Sequence, residues 1–151
     1  MKAFPSRFPG RFGGLLGLAP AIAIATLLTG CSDPAVERVP TYPVSGTLTH
    51  QGRPATGAFV TLHPTTPLAN APTPRGSVAP DGTLRVSTYT ANDGAPAGDY
   101  VMTVEWYKPT NQGGELIPGP NVIPRKFASP KTSQLRVSVV ERENVIPAIR
   151  L

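Results

Sequence analysis

The stretch Ala97-Gly98-Asp99-Tyr100-Val101-Met102-Thr103-Val104-Glu105-Trp106-Tyr107 decides the fold. Over residues 100–107 the large side chains alternate: Tyr100, Met102, Val104 and Trp106 share one face, and Val101, Thr103, Glu105 and Tyr107 take the other. A period of two belongs to a strand, because successive side chains of an extended chain point to opposite sides. Long helices are opposed throughout by 19 Pro and 15 Gly among 151 residues, since both residue types are costly in helix interiors. The expected class is all-β.

Working outward, the same alternation returns in shorter runs. Val44, Gly46 and Leu48 alternate with Ser45, Thr47 and Thr49 before His50-Gln51-Gly52-Arg53-Pro54 turns the chain. Ala58, Val60 and Leu62 form the next inward face, which Pro64 ends because a residue without N–H cannot continue a central ladder. Residues 65–75 lack a period and read as a loop. Residues 76–78 and 84–89 flank Ala79-Pro80-Asp81-Gly82-Thr83, and Asp-Gly between two apolar runs is a strong hairpin signal. A further loop over residues 90–97 carries Asn92-Asp93-Gly94. Leu135, Val137 and Val139 mark a sixth strand and residues 146–151 a seventh. Seven short strands over residues 42–151, without internal repeats, predict a seven-stranded Greek-key β-sandwich of Ig-like kind.

The N-terminus has another character. Lys2, Arg7 and Arg11 precede an uncharged apolar run over residues 15–28, interrupted by Pro20. That run falls short of the roughly 20 apolar residues a spanning helix needs, and its order is that of a cleaved signal peptide over residues 1–30. With those three cations set aside, the 14 Lys+Arg become 11 against 9 Asp+Glu, and the net charge falls from +5 to +2. The remaining charges are scattered singly, which argues against nucleic acid as a partner.

Leu27-Leu28-Thr29-Gly30-Cys31 resembles the lipobox of bacterial lipoproteins, with Thr29 a tolerated choice at its place. The resemblance implies that Leu28, Thr29 and Gly30 are read by the signal peptidase. It also implies that Cys31 is acylated, with palmitate among the chains, and becomes the first mature residue. Several acyl chains anchor firmly where one binds marginally, at ~0.8 kcal/mol per buried CH₂. Cys31 is the only Cys, so no intrachain disulfide is available. Ser32 after the Cys, by the same resemblance, favours the outer membrane over inner-membrane retention. Residues 31–41, with Pro34 and Pro40, read as the acylated end and a flexible tether that keeps the domain close to the bilayer.

A second resemblance rests on Tyr42-Pro43-Val44-Ser45-Gly46-Thr47-Leu48, Gly57-Ala58-Phe59-Val60-Thr61-Leu62, Pro80-Asp81-Gly82-Thr83-Leu84 and Ala97-Gly98-Asp99-Tyr100-Val101-Met102-Thr103-Val104. Together they look like the carboxypeptidase-regulatory-like family of prealbumin-like and Cna-B-like β-sandwich domains. These are fold motifs: the glycines and Asp81-Gly82 serve turns, and Tyr100 resembles a tyrosine corner. The Lys of an isopeptide bond, which some Cna-B-like domains carry, is missing, because no Lys stands between Lys2 and Lys108.

Chemistry-bearing patterns are scarce. The chain offers two His and no G-x-S-x-G, which leaves a serine nucleophile without its usual setting. His50, at a turn, and His63, before Pro64, read as surface imidazoles. The residue opposite His50 should fall near Thr56 or Gly57, leaving His63 several strand rises away and no metal site. Asp81, Asp93 and Asp99 belong to turns, so no carboxylate pair of glycosidase type is indicated. No cofactor is expected.

The functional expectation falls on the proline-rich loop over residues 108–132, long for a compact domain. Trp106 and Tyr107 lie at its root and Arg125 and Lys126 within it, as candidate contacts to a partner or a glycan. The reading is a non-enzymatic, lipid-anchored cell-envelope protein whose sandwich serves as a structural, adhesion or accessory protein-binding module. Its expected partners are the membrane and an envelope protein or glycan. Two alternatives stay open: a carbohydrate-binding module using Trp106, Tyr107 and Tyr89, and a periplasmic metal or small-ligand carrier using His50 and His63.

Overall fold

The computed structural model describes residues 37–151. The expected signal peptide, the recognition residues Leu28, Thr29 and Gly30, the acylated Cys31 and the first part of the tether lie outside the described residues.

In chain order the strands are β1 (Val44–His50), β2 (Arg53–Pro54), β3 (Phe59–Pro64), β4 (Arg75–Val78), β5 (Thr83–Ser87), β6 (Gly98–Glu105), β7 (Tyr107–Gln112), β8 (Glu115–Asn121), β9 (Arg136–Val139), β10 (Asn144–Val145) and β11 (Ile149–Arg150). A single 3₁₀ turn, Arg125–Phe127, is the helical element among the described residues. The described residues form an all-β domain. Its main sheet runs β10-β1-β5-β4-β3-β6-β9, with β2 and β11 also paired to β1. Pairing is antiparallel except for β10 and β11, which run parallel to β1.

The inward positions of these strands gather into one cluster: Val44 and Leu48 from β1, Val60 and Leu62 from β3, Leu84 and Val86 from β5, Tyr100, Met102 and Val104 from β6, and Val137 and Val139 from β9. A sheet with one apolar face must cover it. Here the sheet curls so that strands remote in pairing order, such as β1 and β6, share a core. Ser45, Thr47, Thr61, Ser77 and Arg85 alternate with these residues and face outward.

Six of the seven expected strands stand where the alternation puts them, and the Asp81-Gly82 turn joins β4 to β5 with Asp81 Oδ1 accepting the Thr83 N–H at 2.8 Å. Four readings need correction. The central strand ends at Glu105 rather than Tyr107. The N–H of Trp106 is taken by the Asn121 side chain at 2.9 Å, so the ladder stops and Tyr107 begins a different sheet. Residues 108–132 are not a structureless loop, because β7 and β8 form a separate two-stranded arm. Its tip contains Gly113 and Gly114 at φ 66° and 92°, the paired left-handed residues that a tight hairpin turn requires. Pro109 faces Pro118 across the arm, tolerable there because a two-stranded ribbon has outer edges that need no donor. Of the expected last strand, residues 146–151, only Ile149–Arg150 (β11) is strand; β10 precedes it, with Pro147 between the two. Finally, Asp99 lies within β6, not in a turn, and its carboxylate takes a hydrogen bond from Ser138.

Candidate functional site

The arm root is built by Asn121. Its Oδ1 accepts the N–H groups of Trp106 (2.9 Å) and Ile123 (3.0 Å), while the Val122 N–H donates to the Trp106 carbonyl at 2.9 Å. Both ends of the arm are thereby fastened to the end of β6. Every residue of β7 is exposed, and Leu116 at the far end of β8 is 72% exposed. The arm therefore projects with β7 bare, while Ile117, Gly119 and Asn121 of β8 are half-buried.

Trp106 is half-buried and packs on the core. Its ring meets His50 edge-on, with centroids 5.9 Å apart, and the Lys108 ammonium lies 4.3 Å from its centroid. These neighbours leave Trp106 a wall of the arm root rather than an open platform. Tyr107 is exposed and its hydroxyl donates to Glu105 at 3.0 Å. That bond, with the Glu105 charge, raises the phenol pKa above its ordinary value. Arg125 and Lys126 are exposed on the 3₁₀ turn that follows the arm, with the Lys126 ammonium 4.8 Å from the Phe127 centroid. Trp106, Tyr107 and these two cations thus flank the two ends of one projecting element.

The two imidazoles are not the plain surface groups expected. His50 is half-buried against Trp106, and the residue opposite it is Arg53, the hairpin having only Gln51 and Gly52 at its tip. His63 is half-buried and shares a 3.0 Å hydrogen bond with Thr103. Burial, and then the Arg75 charge, lower its pKa against the opposing pull of Glu105. His63 stands beside Val101 and His50 touches Trp106, so they are separated by five residues of chain, on the order of 15 Å in extended geometry. Among the described residues no three His, Cys, Asp or Glu side chains gather as a metal site would need.

The loop after β5 is clamped by Asp93, whose two oxygens accept the N–H groups of Thr88 (2.7 Å), Tyr89 (2.9 Å) and Thr90 (3.0 Å). Burial pushes the carboxyl pKa up, but the three donors outweigh it and hold the group below its ordinary value. A depressed folded pKa contributes stability that is complete above the unfolded value near 4 and is lost as pH falls through the folded one. Asp93→Asn should therefore lower stability by about 1 kcal/mol at neutral pH, a charged hydrogen bond discounted for water exposure. The gap to the wild type should close on acidification below about pH 4, as thermal unfolding across pH would show. Tyr89, in the same loop, holds the chain before β1: the Arg38 guanidinium lies 5.2 Å from its centroid and its hydroxyl accepts the Val39 N–H at 3.2 Å. The segment expected as tether thus lies against the domain from Arg38 onward.

No family model, curated protein or solved structure matches this chain.

Proposed function

We propose that this is a lipid-anchored, non-enzymatic cell-envelope protein whose domain is a Greek-key β-sandwich of the carboxypeptidase-regulatory-like kind, and whose β7–β8 arm recruits a protein partner near the membrane. The single observation that carries the partner-binding part is the arm, a hairpin whose first strand is wholly exposed and which adds no residue to the core. An isolated two-stranded hairpin is marginal in water, so an arm fastened firmly at its root and bare along β7 fits capture by strand pairing or side-chain contact. The anchor rests on the lipobox resemblance at Leu28, Thr29, Gly30 and Cys31, and the sandwich on the quoted fold motifs together with the buried Tyr100 hydroxyl, which donates to the Pro96 carbonyl at 2.7 Å. Acyl chains at Cys31 would hold the domain at a membrane facing the periplasm or exterior, the outer membrane being favoured.

The test is cross-linking in intact cells grown with labelled palmitate, followed by mass spectrometry of the membrane-bound protein. The wild type should carry label and bring down a reproducible envelope protein. Cys31→Ser should lose the label and leave the membrane fraction, and a variant with residues 108–120 replaced by a short Gly-Ser turn should keep the label and lose the partner. Label retained by Cys31→Ser overturns the anchor. An unchanged cross-linking pattern without the arm overturns the arm's role.

A further inference from the structure

The outer face of β3, β4 and β5 is uneven, and the strand register explains how. One row across it runs Phe59, Ser77, Arg85, and the next runs Thr61, Arg75, Ser87. Phe59 and the two arginines are tall, whereas Ser77 and Ser87 are short. Between them lies an open concavity of about 710 Å³, within the roughly 300–1,000 Å³ of small-ligand sites. The loop clamped by Asp93 brings Asn92 to its edge, held at φ 62° with its N–H donating to Ser87 Oγ at 2.8 Å.

The chemistry of this hollow is mixed in a particular way. Phe59 is 58% exposed on a face otherwise made of hydroxyls and charges. Arg75 and Arg85 are diagonal neighbours on β4 and β5, a relation that spaces Cβ atoms by about 7 Å and makes like charges repel. Neither guanidinium donates a hydrogen bond to another described residue, whereas that of Arg136 donates to Ser133 O and Leu135 O. Of the acidic groups nearby, Asp81 lines the hollow, its carboxyl held below its ordinary pKa first by the hydrogen bonds from Thr83 and to a lesser degree by the Arg85 charge. Glu143 shares a smaller hollow on the other side of Arg85, and Glu105 ends the row beyond Phe59. An anion seated between the arginines would relieve their repulsion.

The geometry points to a binding site for an anionic saccharide on this face, distinct from the arm and independent of the lipid anchor. Phe59 stacks on the C–H side of a sugar ring, as exposed aromatic rings do with apolar faces. Arg75 and Arg85 hold the acid group, a uronate carboxylate or a sugar phosphate, whose oxygens match the guanidinium fork. Ser77, Ser87 and Asn92 meet ring hydroxyls. A neutral glycan leaves both arginines unanswered, and an oligoglutamate has no ring to set on Phe59 beside these hydroxyls.

The test is titration of the full chain in detergent micelles, followed by calorimetry and by NMR of the Phe59 ring and the arginine Nε–H groups. The probes are a galacturonic acid trisaccharide, glucose 6-phosphate, a neutral glucose trisaccharide and an oligoglutamate peptide. At least one acidic sugar should bind and move the Phe59 and arginine signals, and which one binds identifies the acid group; the neutral trisaccharide should not bind. Arg75→Gln and Arg85→Gln should each weaken binding by about ten- to a hundredfold, the worth of a charged hydrogen bond, and Phe59→Ser should weaken it as well. All three side chains are exposed, and unchanged thermal midpoints would show that the variants fold. The proposal is overturned if neither acidic sugar binds, if the neutral trisaccharide or oligoglutamate binds as tightly, or if the double arginine variant binds like the wild type. None of these outcomes bears on Cys31 or the arm.

Discussion

Replacing Tyr100 by alanine should lower the unfolding free energy by about 3–5 kcal/mol, read as a fall in the urea midpoint. Tyr100 is the largest of the fully buried side chains. It pairs with Pro64 of β3 on one side and Val137 of β9 on the other, so its loss opens a void where three strands meet. Domains of this size are stable by only about 5–15 kcal/mol, so the variant should be partly unfolded at growth temperature. Tyr100→Phe separates the ring from the hydroxyl. It keeps the packing but leaves the Pro96 carbonyl without its 2.7 Å partner, at a cost of about 1–3 kcal/mol. Burial also pushes the Tyr100 pKa up to about 12. The unfolded chain releases the phenol proton near pH 10 while the folded chain retains it, so stability falls as pH rises above about 10. The advantage of wild type over Tyr100→Phe should therefore shrink between pH 10 and about 12. Equal stability of Tyr100→Ala and Tyr100→Phe would show that the ring is not what fills the core.

The second large effect is expected at Gly94, where alanine should cost about 2–5 kcal/mol. Gly94 adopts φ 87°, a conformation that opposes a side chain by about 1–2 kcal/mol. A Cβ there would also overlap the Tyr42 carbonyl oxygen. That carbonyl accepts the Ala95 N–H at 3.0 Å, and the Tyr42 N–H donates to Ala95 O at 2.9 Å. Both bonds must open to make room, at about 0.5–1.5 kcal/mol each. Gly52→Ala is the matching control, because Gly52 has φ 76° and nothing within 4 Å of the added carbon. It should show only the conformational cost of about 1–2 kcal/mol. Hydrogen exchange should quicken at the Tyr42 and Ala95 amides in Gly94→Ala alone. Equal losses for the two variants would remove the Tyr42 contact from the account.

Much of the sheet was legible because its signals are local. The alternation at Val44, Gly46 and Leu48, at Val60 and Leu62, and at Tyr100, Met102 and Val104 correctly assigns the inner face. The Asp81-Gly82 turn and the tyrosine near the start of β6 carry their own geometry within a few residues. The arm was hidden by Pro109, Pro118 and Pro120, which read as strand breakers unless the strand stands in a two-stranded ribbon. The only cue to it was Gly113-Gly114 between two short runs.

The sequence by itself determined the all-β class, the positions of most strands and the direction of their side chains, since period-two alternation and turn chemistry are properties of adjacent residues. Tertiary structure alone decided where the central strand stops, because the group that takes the Trp106 N–H is Asn121, fifteen residues on. It also set the last strands parallel to β1, a pairing of Leu48 with Ile149 across the whole domain. The hollow between Phe59, Arg75 and Arg85 arises in the same way. Alternation points each of these side chains outward, but only the register of β3 on β4 and of β4 on β5 places two short serines among three tall neighbours. Register is fixed by long-range packing of the inner face, which no single strand encodes.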